Sequence, residues 1–130
     1  MARTIFQAVL LGATPGELYA HYLNPKTHRL ITGAPAKIGA KKGAAFSAFG
    51  GALSGRILQL VPKRLIVQSW RASHWSREDL DSTVILSFHA QGRSGRIELV
   101  HANVPEHDFA GVSEGWHNYY WIPWRSYLRK

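Results

Sequence analysis

The closing segment of the chain carries a high concentration of aromatic side chains. Residues 115–127 read Gly-Trp-His-Asn-Tyr-Tyr-Trp-Ile-Pro-Trp-Arg-Ser-Tyr and contain three of the five Trp and three of the five Tyr. Such rings can line a pocket for a flat or apolar ligand, with Tyr hydroxyls orienting it, and they also fill ordinary cores. The candidate residues for a ligand cavity are Trp70, Phe88, Trp116, Tyr119, Tyr120 and Tyr127.

Three further side chains are candidates for a polar or anionic contact in such a cavity. Arg71 follows Trp70 on a predicted strand and could reach an anionic ligand, but alternation favours the opposite face, where arginines pair with surface acids. His101 and His117 are the ionisable groups that an enzymatic reaction in the cavity would need. Each of these residues also has a purely structural interpretation.

A metal site would have to be built from histidines and one nearby acid. The candidates His101, His107, Asp108 and His117 match no known ligand spacing, and the chain contains no cysteine. We therefore predict no metal and no cofactor.

The polar segment 73–81 contains the ingredients of a nucleophile and a base. These are Ser73, His74, Ser76, Asp79 and Asp81. No nucleophile elbow or oxyanion element accompanies them, so hydrolysis is only weakly indicated and we assign no catalytic residue.

Positive charge is concentrated in the first part of the sequence. The net charge is +8, of which residues 1–72 carry +9 and residues 73–130 carry −1. This asymmetry favours encounter with an acidic partner or an anionic ligand, and it is also common on solvated surfaces. The densest basic group, Lys37, Lys41 and Lys42, is remote in sequence from the aromatic segment, whereas nucleic-acid binding needs the two interleaved. We predict a solvated loop there and no nucleic-acid partner.

Length and composition favour one globular domain over residues 1–130. Of these residues, 45% are hydrophobic and 18% are charged, which suits one core of moderate size. No apolar run approaches the roughly 20 residues that cross a bilayer, so we predict no membrane span. The absence of cysteine is typical of a reducing compartment, and we expect a cytoplasmic protein.

The first half of the chain predicts a strand, two short helices and a loop. Residues 3–11 are rich in β-formers. Thr14-Pro15-Gly16-Glu17 is a capping box with Pro at the first helical position, and Asn24-Pro25 repeats the start signal. Helices are predicted to about Leu23 and Ile31, and a loop over residues 32–44.

Hairpin-linked strands are predicted next, at residues 45–49, 53–61, 65–72, 83–88 and 96–102. Gly50-Gly51 is a two-residue hairpin signal between the first two of them. Short turns imply antiparallel pairing, and the first strand of the chain must pair at an edge of this sheet or close it.

The final element is predicted to be a long helix that begins between Asp108 and Ser113. At 100° per residue its apolar stripe contains Val112, Trp116, Tyr119, Tyr120, Pro123 and Tyr127, and Trp121, Trp124 and Leu128 widen it. Pro123 removes a backbone donor and crowds the carbonyl of Tyr119, so we predict a bend there. The predicted fold is therefore α+β, with a curved antiparallel sheet of about six strands gripping this helix.

Several motifs resemble those of one protein family, in order along nearly the whole chain. They are Asn24-Pro25-Lys26-Thr27-His28, Phe49-Gly50-Gly51 before Ser54-Gly55-Arg56, Val67-Gln68-Ser69-Trp70-Arg71, and Gly115-Trp116 to Tyr119-Tyr120-Trp121 with Pro123. In these motifs the sequence resembles homologues of the activator of the heat-shock protein 90 ATPase, which belong to the START, or SRPBCC, helix-grip superfamily. Two positions depart from the family pattern: Asn24 replaces a usual Asp, and His74-Trp75-Ser76 lacks an acid before Trp and a Pro after it.

The resemblance implies a helix-grip fold with an internal, mostly apolar cavity. Our first hypothesis is a non-catalytic domain that binds a small hydrophobic or aromatic molecule between the sheet and the last helix. A co-chaperone or stress-response protein that regulates a heat-shock protein 90 ATPase is the alternative. A cyclase-like or hydrolase-like enzyme using the same cavity is a weaker one.

Overall fold

The computed structural model describes residues 2–129, which form one curved antiparallel sheet gripped by helices. The strands are β1 Ala2–Leu11, β2 Ala36–Ile38, β3 Ala45–Ala48, β4 Leu53–Val61, β5 Leu65–Ala72, β6 Ser82–Gln91 and β7 Ser94–Pro105. Their order across the sheet is β1-β7-β6-β5-β4-β3-β2. The predicted α+β helix-grip architecture is confirmed, with β1 at the edge beside β7.

Strict alternation along the strands creates the inner face of the sheet. In β5, β6 and most of β7, every second residue is buried and its neighbours are only half-buried. The register joins inner positions across strands, so that Ile66 faces Leu86 and Leu86 faces Leu99. All three are buried, and burial of such side chains stabilises the fold by roughly 1.5–3 kcal/mol each.

Two short helices, α1 Pro15–Leu23 and α2 Pro25–Thr32, follow β1 as predicted. Thr14 and Glu17 form a reciprocal capping box at the start of α1. Asn24 ends α1 and caps α2, because its side chain accepts a hydrogen bond from the Lys26 N–H. Gly33, at φ 78°, supplies the left-handed residue that ends α2.

The sheet has seven strands where the sequence predicted about six. The additional strand is β2, which lies inside the segment 32–44 that was predicted to be a loop. It pairs with β3 through Ala36 with Ala48 and Ile38 with Phe46. Three residues between Pro35 and Gly39 are too few to show a period, so only the pairing partner defines this strand.

The connection between β3 and β4 also differs from its prediction. Gly50-Gly51 does not form a two-residue hairpin but belongs to a short 3-10 turn over Phe49–Gly51. Phe49 has φ 53°, and the two glycines have φ 65° and 98°. Glycine tolerates these angles freely, whereas Phe49 adopts them at some conformational cost. The turn places the Phe49 ring beside the last helix.

The last helix consists of α3 Phe109–Trp116 and α4 Ile122–Leu128, joined by a π turn over His117–Trp121. In this turn the Ile122 N–H donates to the carbonyl of His117, five residues earlier. Where the sequence predicted a bend at Pro123, the structure has this widened turn immediately before it. Pro123 has no backbone N–H to donate within the helix, and the extra residue in the widened turn accommodates it there.

Gly55 allows β4 and β5 to approach closely. A Cβ atom at this position would lie 2.6 Å from the carbonyl carbon of Ser69 and still closer to its oxygen. We predict that Gly55→Ala lowers the free energy of unfolding by about 2–3 kcal/mol, because the two backbones would have to separate. Chemical denaturation measures this change.

Gly12→Ala is the matched control, since a Cβ there would meet no atom within 4 Å. It should alter the free energy of unfolding by less than about 0.5 kcal/mol. Equal stability of the two variants would contradict the proposed close approach.

Candidate functional site

An apolar hollow of about 430 Å³ lies between the last helix, the turn after β3 and the adjoining ends of β4 and β5. Its walls are mainly aromatic and aliphatic. The principal lining side chains are Phe49, Leu53, Trp70, Trp116, Tyr119 and Tyr120. Two polar side chains, His74 and Asp108, also line it, and the His74 side chain is 65% exposed.

A buried hydrogen-bond chain fixes two of the walls. Trp116 Nε1 donates to His101 Nδ1 at 3.0 Å, so the proton of this neutral ring is on Nε2, which lies 2.8 Å from the Ser82 hydroxyl. That hydroxyl donates to the carbonyl of Trp70 at 2.6 Å. Burial lowers the pKa of His101 to about 3. His101 therefore positions Trp116 relative to Trp70 as a neutral ring.

A second histidine orients Tyr120. The Tyr120 hydroxyl lies 2.9 Å from His28 Nε2, and His28 Nδ1 lies 2.8 Å from the carbonyl of Tyr22. Because only a protonated Nδ1 can donate to that carbonyl, Nε2 accepts from Tyr120. Burial lowers the pKa of His28, although the bond to Tyr22 opposes this effect. The ring is thus a neutral bridge between the helix pair and the last helix.

The loop between β5 and β6 lies at one side of the hollow, where it contacts Asp108, the residue before α3. The Asp108 carboxylate accepts from Trp75 Nε1 at 2.7 Å and is 3.0 Å from His74 Nε2. Asp79 of the same loop lies 2.8 Å from His107 Nε2. Hydrogen bonds from His107 and from the Ser76 backbone lower the pKa of Asp79. The loop is thereby attached to the residues that precede α3.

Arg71 braces this loop from its own strand. Its guanidinium donates to the carbonyls of Asp79 and Ser76 and forms an ion pair with Asp81 at 3.3 Å. It does not line the hollow. The surface pairing that strand alternation favoured is the arrangement found here.

The structure brings together four of the six predicted cavity residues: Trp70, Trp116, Tyr119 and Tyr120. Phe88 and Tyr127 lie outside the hollow, packed against Tyr19 at 5.7 Å and against His21 at 5.5 Å. These partners belong to α1, which covers the part of the sheet remote from the turn after β3.

Tyr119 is the least enclosed of the four, with 58% of its surface exposed. A regular helix would place it on the buried stripe with Trp116. In the structure Trp116, Tyr120 and Trp124 are buried, whereas Tyr119 turns outward within the π turn and meets Phe49 at 5.6 Å. Tyr119 is therefore the exposed member of the predicted stripe.

The remaining candidates do not converge on a metal or a nucleophile. His101 is buried behind Trp116, His117 is exposed, and within residues 2–129 no three potential ligands form a metal-binding group. In the loop 73–81, His74 pairs with Asp108, and Asp79 pairs with His107 and accepts from the Ser76 backbone N–H, so no histidine of the loop contacts one of its serines. Two serines outside this loop contact a histidine: Ser82, which is fully buried, lies beside His101, and Ser87 lies 3.1 Å from His89 Nε2.

Sequence reasoning missed four contributors to this site: Phe49, Asp108 as a lining residue, Ser82 and His28. Phe49 had one usable signal, since an aromatic residue directly before Gly-Gly must project from a turn. The other three act through partners that are distant along the chain, such as His28 with Tyr120.

Among the described residues, no helix is both long and apolar enough to span a bilayer.

Because His101 is neutral when folded, acid should destabilise the protein. An unfolded histidine titrates near pH 6.5 and folded His101 near pH 3, so between these values the unfolded chain binds more protons. The free energy of unfolding should therefore decrease as the pH is lowered from about 6.5 to about 3. This site contributes up to about 1.4 kcal/mol per pH unit to that decrease. We predict that His101→Gln, which keeps a donor and an acceptor, reduces that slope.

Denaturation at a series of pH values measures this slope. His117→Gln, which replaces an exposed ring, is the control and should keep the wild-type slope. An unchanged slope in His101→Gln would contradict the neutral, buried state of His101.

Comparison with known proteins identifies relatives of this chain. It is 30% identical over 104 residues to the activator of 90 kDa heat shock protein ATPase homolog of Dictyostelium discoideum, which covers 79% of this chain and 27% of the relative. The human activator of 90 kDa heat shock protein ATPase homolog 1 is 29% identical over 107 residues, 82% of this chain and 31% of the relative. The chain thus spans about three tenths of the length of these curated relatives.

Solved structures share the fold. An HSP90 activator from Plasmodium falciparum superposes with a TM-score of 0.87 at 22% identity, covering 97% of this chain and 96% of its own. CalU16 from Micromonospora echinospora gives a TM-score of 0.75 at 27% identity, covering 89% and 70%. The family model described as Activator of Hsp90 ATPase homolog 1-like protein matches residues 12–122, and the chain therefore belongs to this family.

Proposed function

We propose that this domain is a non-catalytic binding module that holds a small hydrophobic or aromatic molecule in the hollow between the sheet and the last helix. The observation that carries the proposal is the hollow itself, about 430 Å³ in volume and lined mainly by apolar side chains. Pockets for small molecules typically measure roughly 300–1,000 Å³ and combine apolar walls with a few polar groups.

The walls suit a flat molecule. Trp70, Trp116 and Tyr120 present rings whose orientations are set by packing or by hydrogen bonds to buried histidines. Burying about 250 Å² of ligand surface at about 25 cal/mol per Å² contributes about 6 kcal/mol before the loss of translational freedom. We therefore expect dissociation constants in the micromolar range or weaker.

The ionisable groups near the hollow support binding over chemistry. Both nitrogens of His101 and of His28 are used in hydrogen bonds within the protein. Asp108 Oδ2 accepts from Trp75 Nε1 and lies 3.0 Å from His74 Nε2. A cyclase-like or hydrolase-like reaction would need one of these groups free to transfer a proton to a substrate.

Blocking the entrance should abolish binding. Ala52 lines the hollow and is exposed, so Ala52→Trp places a large ring there without disturbing the core. We predict that wild type increases the fluorescence of Nile red, a neutral apolar dye, and that Ala52→Trp weakens its binding by at least about tenfold.

Ala8→Trp is the matched control, since Ala8 is also exposed but lies on β1 outside the hollow. It should bind the dye as wild type does. Equal weakening by both variants, or dye binding that Ala52→Trp leaves intact, would place the dye elsewhere on the protein.

A second candidate function follows from the family. The curated relatives are named activators of the 90 kDa heat shock protein ATPase, and this chain matches about three tenths of their length. We propose association with a chaperone of that class, with the basic residues of positions 1–72 facing an acidic surface. Such an association should be sensitive to salt, because exposed charges are screened.

Charge reversal tests this second candidate. Lys41→Glu with Lys42→Glu should slow association with a full-length chaperone by at least about threefold at low salt, and the difference should shrink at high salt. Surface-immobilised binding kinetics and the chaperone ATPase rate are the two measurements.

Arg77→Glu with Arg93→Glu changes the net charge by the same amount in the second part of the chain and is the control. It should slow association less. No association of the wild type at low salt, together with an unchanged ATPase rate, would eliminate the chaperone proposal.

A further inference from the structure

The wall of the hollow contains one carboxylate and no lysine or arginine. The carboxylate belongs to Asp108, whose side chain is only 19% exposed. Acidic side chains that are largely buried usually have a cationic partner, because a lone charge is poorly solvated inside a protein. Asp108 therefore makes the hollow more favourable for a positively charged group than for a negatively charged one.

Only one oxygen of this carboxylate is used within the protein. Oδ2 accepts from Trp75 Nε1 at 2.7 Å and lies 3.0 Å from His74 Nε2. Within residues 2–129 no hydrogen bond is made to Oδ1, and Asp108 does not cap α3 through its side chain. The carboxylate thus keeps an oxygen, with its lone pairs, for a further partner.

The surroundings of Oδ1 are open on the side of α3. A Cβ atom at Gly111 would lie 2.9 Å from Oδ1. Apart from the Asp108 side chain, the adjoining residues and the backbone of the helix itself, no atom lies within 4 Å of that Cβ position. Gly111 also lines the hollow, so its missing side chain leaves Oδ1 accessible from there.

The arginines of the neighbouring strands are paired elsewhere. Arg71 of β5 forms an ion pair with Asp81, and Arg3 of β1 lies 3.4 Å from Glu106. Neither arginine lines the hollow. The segments next to the hollow, residues 73–81 and 106–108, contain five acids against one arginine. The local charge is therefore negative although the net charge of the whole chain is positive, and distant charges are screened by salt.

Aromatic rings surround much of the remaining volume. They belong to Phe49, Trp70, Trp116, Tyr119 and Tyr120. Phe49 stands at 66° to Tyr119 and at 82° to Tyr120, so these rings enclose space from several directions and do not form a parallel stack. The face of an aromatic ring carries partial negative charge and attracts ammonium groups, and cages of such rings bind quaternary ammonium ligands.

We propose, building on the ligand-binding function above, that the ligand is a hydrophobic organic cation, with an apolar body and one ammonium group. The ammonium group lies beside Asp108 Oδ1, and the apolar body packs among the aromatic rings. Anions such as fatty acids are rejected, because their carboxylate would face Asp108 without a compensating cation.

Three matched probes test this assignment by displacement of Nile red at about pH 8, where a free imidazole is mostly neutral. They are 2-naphthyltrimethylammonium, 2-tert-butylnaphthalene and 2-naphthoate. The first two have nearly the same shape and differ in charge. Wild type should bind the ammonium probe at least about threefold more tightly than its neutral isostere, and 2-naphthoate most weakly.

Asp108→Asn removes the charge and keeps an acceptor for Trp75. It should weaken the ammonium probe by at least about fivefold and change 2-tert-butylnaphthalene by less than about twofold. Glu106→Gln, the same loss of charge two residues earlier and outside the hollow, is the control and should change neither probe by more than about twofold. Gly111→Ala is a second variant, in which a methyl group placed against Oδ1 should weaken the ammonium probe selectively.

The outcomes separate the two proposals. If wild type binds Nile red but binds the ammonium probe no better than its isostere, the cation assignment is wrong and the binding function stands. The same holds if the preference for the ammonium probe persists in both Asp108→Asn and Gly111→Ala. If neither the dye nor any of the three probes binds to wild type, the binding function itself is wrong.

Discussion

The hydrogen bond from Ile122 to His117 determines which aromatic side chains the last helix presents to the sheet. It spans five residues and so widens one turn immediately before Pro123. In a regular helix Trp116, Tyr119, Tyr120 and Pro123 would share a stripe. With the wide turn, Trp116, Tyr120 and Trp124 are buried and Tyr119 is exposed. Trp121, stacked on Trp116 at 5.4 Å, completes the buried aromatic surface. The orientations of the two wall residues within this turn, Tyr119 and Tyr120, depend on that bond.

The same turn explains why the helix leaves a hollow. Tyr119 is rotated outward, so its ring meets Phe49 at the margin and does not fill the space above Trp70. On the sheet side, Ala72 and Ala52 contribute only methyl groups to the lining. Small residues on one side and an outward-turned tyrosine on the other leave volume that close packing would otherwise fill.

Local signals in the sequence predicted most of the architecture. The caps at Thr14 and Asn24 mark both short helices, because a cap acts on residues only two or three positions away. The alternation of apolar and polar residues that predicted β5 to β7 is likewise a pattern of residues close together in the sequence. Two features depended on contacts distant in sequence and were not predictable locally: β2, which exists through its pairing with β3, and the link between Ser82, His101 and Trp116. The outward turn of Tyr119 follows from the π turn, which regular helical spacing does not indicate. The site was therefore predicted in its residue types more than in its geometry.

The two proposed functions use different parts of the molecule and can be separated. None of Lys37, Lys41 and Lys42 lines the hollow, and the polar side chains at its rim, His74 and Asp108, belong to the less basic part of the sequence. Association with an acidic chaperone surface would act through long-range charge, which changes encounter rates. Ligand binding would act through apolar burial in the hollow, which changes residence time. A protein could keep either function and lose the other, because no described side chain is required for both.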